Sequence, residues 1–69
     1  MASDVLTLLK QNIKKYRKAQ NLTQLKLSLL TGISKDYITA IENGKRTPSV
    51  KRLILIGKAL KTDIYKFFQ

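Results

Sequence analysis

Apolar residues in this chain recur at every third or fourth position and nowhere alternate, a spacing that fits helices and argues against a sheet. Four clusters of turn-forming residues, at 21–23, 31–34, 43–49 and 61–63, interrupt that spacing. They leave five short helical segments, so the predicted fold is all-α. At 69 residues the chain is near the lower limit for folding on one hydrophobic core, and a single domain over 1–69 is expected. With 43% hydrophobic residues, three Gly and one Pro, it does not have the composition of a disordered chain.

The first segment, 4–20, carries Leu6, Leu9, Ile13 and Tyr16 along one stripe, with Ser3 positioned to cap it. Lys10, Lys14, Lys15 and Lys18 fall largely on its remaining surface. Asn21 stands where a left-handed turn is expected, and Thr23 is a good N-cap for a second helix ending at Leu30 or Thr31. Gly32 supplies the next turn. Ser34 caps a third helix, with Ile33 and Ile38 at hydrophobic-staple spacing and Gly44 ending it. Pro48 and Ser49 open a fourth, whose predicted buried stripe is Val50, Leu53, Ile56, Gly57 and Leu60. Asp63 is read as the cap of a fifth, in which Ile64, Phe67 and Phe68 close the core. Two adjacent phenylalanines cannot share a helix face, so one of them is expected at the surface.

Fourteen Lys and Arg against four Asp and Glu give a formal charge of +10. On so small a body the self-repulsion calls for a polyanionic partner, nucleic acid before an anionic membrane. A membrane-surface protein would want one long helix with a continuous apolar face, and the Gly, Pro and Asn breaks oppose that. No apolar stretch is long enough to span a bilayer, and residues 1–11 lack the pattern of a signal peptide, so a cytoplasmic location is expected. The absence of Cys and His excludes disulfides, thiol nucleophiles, a His base and nearly every zinc site. The four acids are scattered and no phosphate-binding glycine loop occurs, so the reading is of a binding protein rather than an enzyme. No metal, cofactor or small-molecule ligand is expected.

Segments two and three are the informative part. Two short helices joined by Leu30-Thr31-Gly32-Ile33-Ser34 have helix-turn-helix geometry, about 23–43, in which the second helix is laid across the first and can enter a DNA major groove. Ser28 provides the small residue at the close approach. Gly32 provides the positive φ, and Ile33, Ile38 and Ile41 anchor the reading helix from behind.

Thr23-Gln24, Ser28, Gly32-Ile33-Ser34, Tyr37-Ile38, Ile41-Glu42-Asn43-Gly44-Lys45-Arg46 and Pro48-Ser49 resemble the helix-turn-helix of the lambda repressor/Cro family. The similarity runs over about 9–68, and Ile-Glu-Asn-Gly-Lys-Arg followed by Pro is a specific string. The resemblance implies a five-helix bundle that binds double-stranded operator DNA as a symmetric dimer. Small phage repressors and restriction–modification controller proteins fit that description. Helix 34–43 would be the recognition helix, with Lys35, Asp36, Thr39 and Ala40 facing outward. Lys35 can donate to guanine, Asp36 can accept from cytosine, and Ala40 can touch a thymine methyl. A phosphate contact competes for Lys35, and helix-dipole stabilisation alone explains an acid at Asp36. Gln24, Ser34, Tyr37, Asn43, Lys45 and Arg46 are candidates for the DNA backbone, with Thr47 and the backbone amides of the 43–46 loop beside them. Packing against the second helix is the other reading of Tyr37, and a solvated polar residue that of Gln24. Arg17 and Glu42 would form a structural ion pair.

Several residues depart from the family pattern. Lys61 stands where a helix-ending Gly is usual, Thr62 replaces an aliphatic residue, and Lys26 stands where Glu would complete a capping box. Leu25, Leu29 and Leu55 fall on faces the family leaves polar; they are read as ordinary surface leucines or as a protein contact. The function expected is a homodimeric, sequence-specific transcriptional regulator on an inverted-repeat operator, its dimer contact drawn from Tyr65, Phe67, Phe68 and Leu55. The alternative is a protein-interaction module such as an antitoxin, with DNA binding secondary.

Overall fold

The computed structural model describes residues 2–69, with side chains from Asp4 onward. Its elements are α1 (Ala2–Ala19), α2 (Gln24–Thr31), α3 (Lys35–Glu42), α4 (Val50–Leu60) and a closing 3-10 helix (Ile64–Phe68). The predicted fifth helix is therefore a 3-10 segment. Its backbone closes through Lys66 N–H to the Asp63 carbonyl at 3.0 Å and Gln69 N–H to the Lys66 carbonyl at 3.5 Å. Five residues are too few to repay helix nucleation, and the tighter i→i+3 pattern suits a short closing turn. Asp63 occupies the cap position but makes no side-chain capping bond, contrary to expectation.

The other starts follow the sequence. Thr23 accepts from Lys26 N–H, Ser34 from Tyr37 N–H and Ser49 from Arg52 N–H, each satisfying one of the unpaired donors at a helix N-terminus. Helix α1 begins at Ala2, so Ser3 lies within it rather than capping it, and the Ser3 side chain is outside the described residues. Asn21 takes φ +58° after α1, and Gly32 takes φ +77° after α2. Lys61 takes φ +53° after α4, in the left-handed position the family gives to Gly. There the Thr62 N–H returns to the Gly57 carbonyl at 2.9 Å, so the chain makes the glycine turn without the glycine.

Leu9, Ile13, Leu27, Ile33, Ile38, Ile41, Leu53, Ile56, Leu60 and Phe67 form the core, with Tyr16, Leu22, Tyr37 and Ala59 packed on its edge. Each fully buried side chain contributes about 1.5–3 kcal/mol by leaving water. Leu6 and Val50, predicted on buried stripes, are exposed at 46% and 70%. Leu6 sits on the first turns of α1, which at 18 residues outruns the 8 to 11 residues of the helices it packs against. Val50 is the first residue of α4, beside the cap rather than over the core.

Of the two phenylalanines, Phe67 is buried and Phe68 exposed, and Ile64 is left at the edge of the core. The Phe67 ring meets Tyr16 edge-on, centroids 5.9 Å apart. Asn12, buried on α1, donates to the Phe67 carbonyl at 2.8 Å and the Gln69 carbonyl at 3.0 Å, tying the last residues to the first helix. The 3-10 helix also passes close over α4. A Cβ on Gly57 would come within 2.9 Å of both Ile64 Cγ2 and the Thr62 carbonyl, so only glycine lets the two elements approach this closely.

Candidate nucleic-acid interface

The turn between α2 and α3 is held by side chains as well as by Gly32. The Ser28 hydroxyl donates to the Ile33 carbonyl. Thr31 Oγ1 donates back to the Leu27 carbonyl at 2.8 Å and accepts from Ile33 N–H at 3.1 Å. The backbone groups that a turn leaves unpaired thus find partners within five residues, which fixes the angle between the helices.

Behind α3, Arg17 and Glu42 form the expected pair. Arg17 Nε donates to Glu42 Oε2 at 2.7 Å and Nη2 to Oε1 at 3.1 Å, while Nη1 donates to the Leu22 carbonyl. The geometry is bidentate, the strong form of a guanidinium–carboxylate contact, and both residues are buried. Gln24 extends the arrangement. Its Nε2 donates to Glu42 Oε1 at 3.1 Å, and its Oε1 lies 2.7 Å from Thr39 Oγ1, which also lies 3.0 Å from the Lys35 carbonyl. A polar chain therefore runs from α1 through Glu42 and the start of α2 to Thr39 on the outer side of α3. The sequence reading of Gln24 as a solvated residue fails here, because its amide is engaged inside the protein with one Nε2 hydrogen left over.

The outward residues of α3 divide by role. Lys35 and Asp36 are exposed, Ala40 is half-buried, and Thr39 is held by Gln24. Ser34 is committed as the N-cap. Tyr37 is half-buried and stacks against Arg52 of α4, whose guanidinium carbon lies 4.5 Å from the ring centroid. Nothing in the spacing of Tyr37 and Arg52 signals that contact.

Asn43, Lys45, Arg46 and Thr47 are all exposed. The loop amides expected to meet phosphates are partly spent. Lys45 N–H and Arg46 N–H both turn back to the Ala40 carbonyl, at 2.8 and 3.2 Å, and Gly44 N–H to that of Ile41 at 3.1 Å. They satisfy the open carbonyls at the end of α3, which leaves the side chains of Asn43, Lys45 and Arg46 as the donors this loop still offers.

Away from this loop in the chain, a groove of about 400 Å³ lies between α4 and the 3-10 helix, bordered by Ile54, Gly57, Lys58, Lys61, Thr62 and Ile64. Tyr65 and Phe68 are exposed at 56% and 42%, and Leu55 is half-buried. Phe67 is 0% exposed, so it belongs to the protein's own core and is withdrawn as a contact between copies.

A bundle that frames one short helix with a capped turn behind it and a basic loop after it is the frame of a helix-turn-helix protein, and the helix-turn-helix family profile matches residues 13–67. The chain belongs to this family of DNA-binding transcription regulators. Among its relatives, the control protein C.SmaI of Serratia marcescens is 33% identical over 63 residues, covering 91% of this chain and 75% of that protein. An uncharacterized HTH-type transcriptional regulator of Methanocaldococcus jannaschii is 40% identical over 60 residues, 87% of this chain and 91% of the other. The crystal structure of the restriction-modification controller protein C.AhdI from Aeromonas hydrophila superposes with a TM-score of 0.86 at 26% identity, covering 99% of this chain and all of that one.

Proposed function

We propose that this protein is a sequence-specific regulator that binds an inverted-repeat operator in double-stranded DNA as a homodimer, with α3 in the major groove. The observation that carries the reading is the division of α3 into a buried face locked to α1 and α2 and an outer face bearing Lys35, Asp36 and Ala40. Lys35 and Asp36 read base edges, Ala40 meets a thymine methyl, and Thr39 is set by Gln24 beside them. Asn43, Lys45 and Arg46 hold the phosphates after the reading helix, and the spare amide hydrogen of Gln24 holds one at the start of α2.

The chain has one such helix and a longest dimension of 33 Å, so reading two half-sites a DNA turn apart, about 34 Å, takes two copies. The exposed Tyr65 and Phe68 of the 3-10 helix, with Leu55 of α4, supply the contact between them. The controller-protein relatives support a regulatory role. Residues 1–69 act as one unit, in the cytoplasm, with occupancy set by protein concentration rather than by a small molecule.

The test is selection from a random duplex pool, with sedimentation of the complex. The expected outcome is an inverted repeat with half-sites one turn apart, preferred over scrambled DNA by about 10³-fold or more, and two chains per duplex. Failure to enrich any motif overturns the reading. Leu25 and Leu29, 54% and 71% exposed on the outer face of α2, favour a second one, an interaction module of antitoxin type. In that case a co-encoded protein copurifies, and Leu29→Ser releases it.

A further inference from the structure

The lysines of α1 differ in how they are held. Lys14, Lys15 and Lys18 are exposed, whereas Lys10 is half-buried. Its side chain lies across the loop that follows α3. A Cβ on Gly44 would stand 3.1 Å from Lys10 Cδ and 3.3 Å from Nζ. The ammonium therefore ends against the residue between Asn43 and Lys45. Gly44 also has φ +77°, so glycine answers two demands at once, the left-handed backbone and room for the lysine.

This placement works against the stability of the free protein. Among the described residues Lys10 has no carboxylate partner, Glu42 being engaged by Arg17, and Lys45 and Arg46 follow immediately in the same loop. Holding an unneutralised ammonium against the loop costs side-chain entropy, and on a chain of net charge +10 it adds repulsion. A lysine kept for packing alone would gain more as a leucine or methionine.

We propose that Lys10 and the Gly44 loop form a seat for a phosphate of the DNA backbone, contributed by α1 and outside the helix-turn-helix. The inference rests on the DNA-binding reading above and extends it to a residue on another element. The seat fixes how deeply α3 sits in the groove without reading sequence, because the phosphate it holds is the same for every base.

Lys10→Met keeps the stem over Gly44 and removes the charge. Lys15→Met, about 140° round the helix, removes the same charge elsewhere. Affinity is measured by fluorescence anisotropy from 50 to 200 mM KCl, on the selected duplex and on a scrambled duplex of equal length. Loss of one phosphate contact lowers the slope of log affinity against log salt by about 0.9. Across that fourfold rise in salt, Lys10→Met would lose about 3.5-fold less affinity than the parent, equally on both duplexes. Its melting temperature would stay level or rise. A slope for Lys10→Met no different from that of Lys15→Met overturns the seat, and so does a fall in melting temperature with the slope unmoved. A parent that does not discriminate between the duplexes overturns sequence-specific regulation instead, and the scrambled duplex still decides for or against Lys10.

Discussion

Glu42 is the residue on which most of the polar interior depends. It receives both nitrogens of one edge of Arg17 and one amide hydrogen of Gln24, with its side chain almost wholly out of water. Glu42→Ala would leave a guanidinium buried without its counter-charge, at a cost of about 3–5 kcal/mol, a large share of the stability of any small domain. Glu42→Gln keeps the shape and one acceptor and is expected to cost less. Urea unfolding of both variants checks this, and wild-type stability in Glu42→Ala would remove the pair from the account. The pair itself was legible only through the family resemblance. Nothing in the spacing of Arg17 and Glu42, on different helices, requires them to meet. Gln24 with Thr39 and Tyr37 with Arg52 were not legible at all, since each contact depends on how two helices cross rather than on either sequence alone.

Whole elements were easier to read, because their ends carry local chemistry. Thr23 and Ser34 cap as expected, Ser49 caps the helix that it opens with Pro48, and Asn21 and Gly32 turn as expected, since a cap or a left-handed turn is decided within about four residues. The misreadings lie where an element begins: Leu6 and Val50 fit their stripes but sit in the first turns of α1 and α4, where they stay exposed. The spacing of the last segment predicts a helix but does not distinguish five residues of 3-10 from a turn and a half of α. Lys61 is the departure with a consequence at this scale. A side chain at φ +53° carries a steric cost that glycine avoids, offset in part by the chain entropy glycine loses. Lys61→Gly is expected to stabilise the fold by about 0.5–1 kcal/mol, read as a higher midpoint in urea with an unchanged slope. A lower midpoint would mean that the lysine side chain contributes more than the turn costs.

For the molecule as a whole, the charge of +10 sets two responses to salt with opposite signs. Screening relieves self-repulsion in the free protein, so its melting temperature is expected to climb by several degrees between low and high KCl. The same ions compete with Lys and Arg for phosphates, so DNA affinity falls over that range. Calorimetry and anisotropy on one preparation test both. A melting temperature indifferent to salt would mean that the cations are too far apart to repel, and would weaken the case for a polyanionic partner. The polar chain behind α3 also bears on how such a protein diversifies. Lys35 and Asp36 are exposed, and with the half-buried Ala40 they lie outside the Arg17–Glu42–Gln24–Thr39 chain, so exchanging their side chains breaks no buried hydrogen bond. Thr39, one position from Ala40, cannot be exchanged without releasing Gln24. On the proposed reading of α3, new operators come within reach through three positions outside the buried polar chain, while the fourth ties any change of target back to the scaffold.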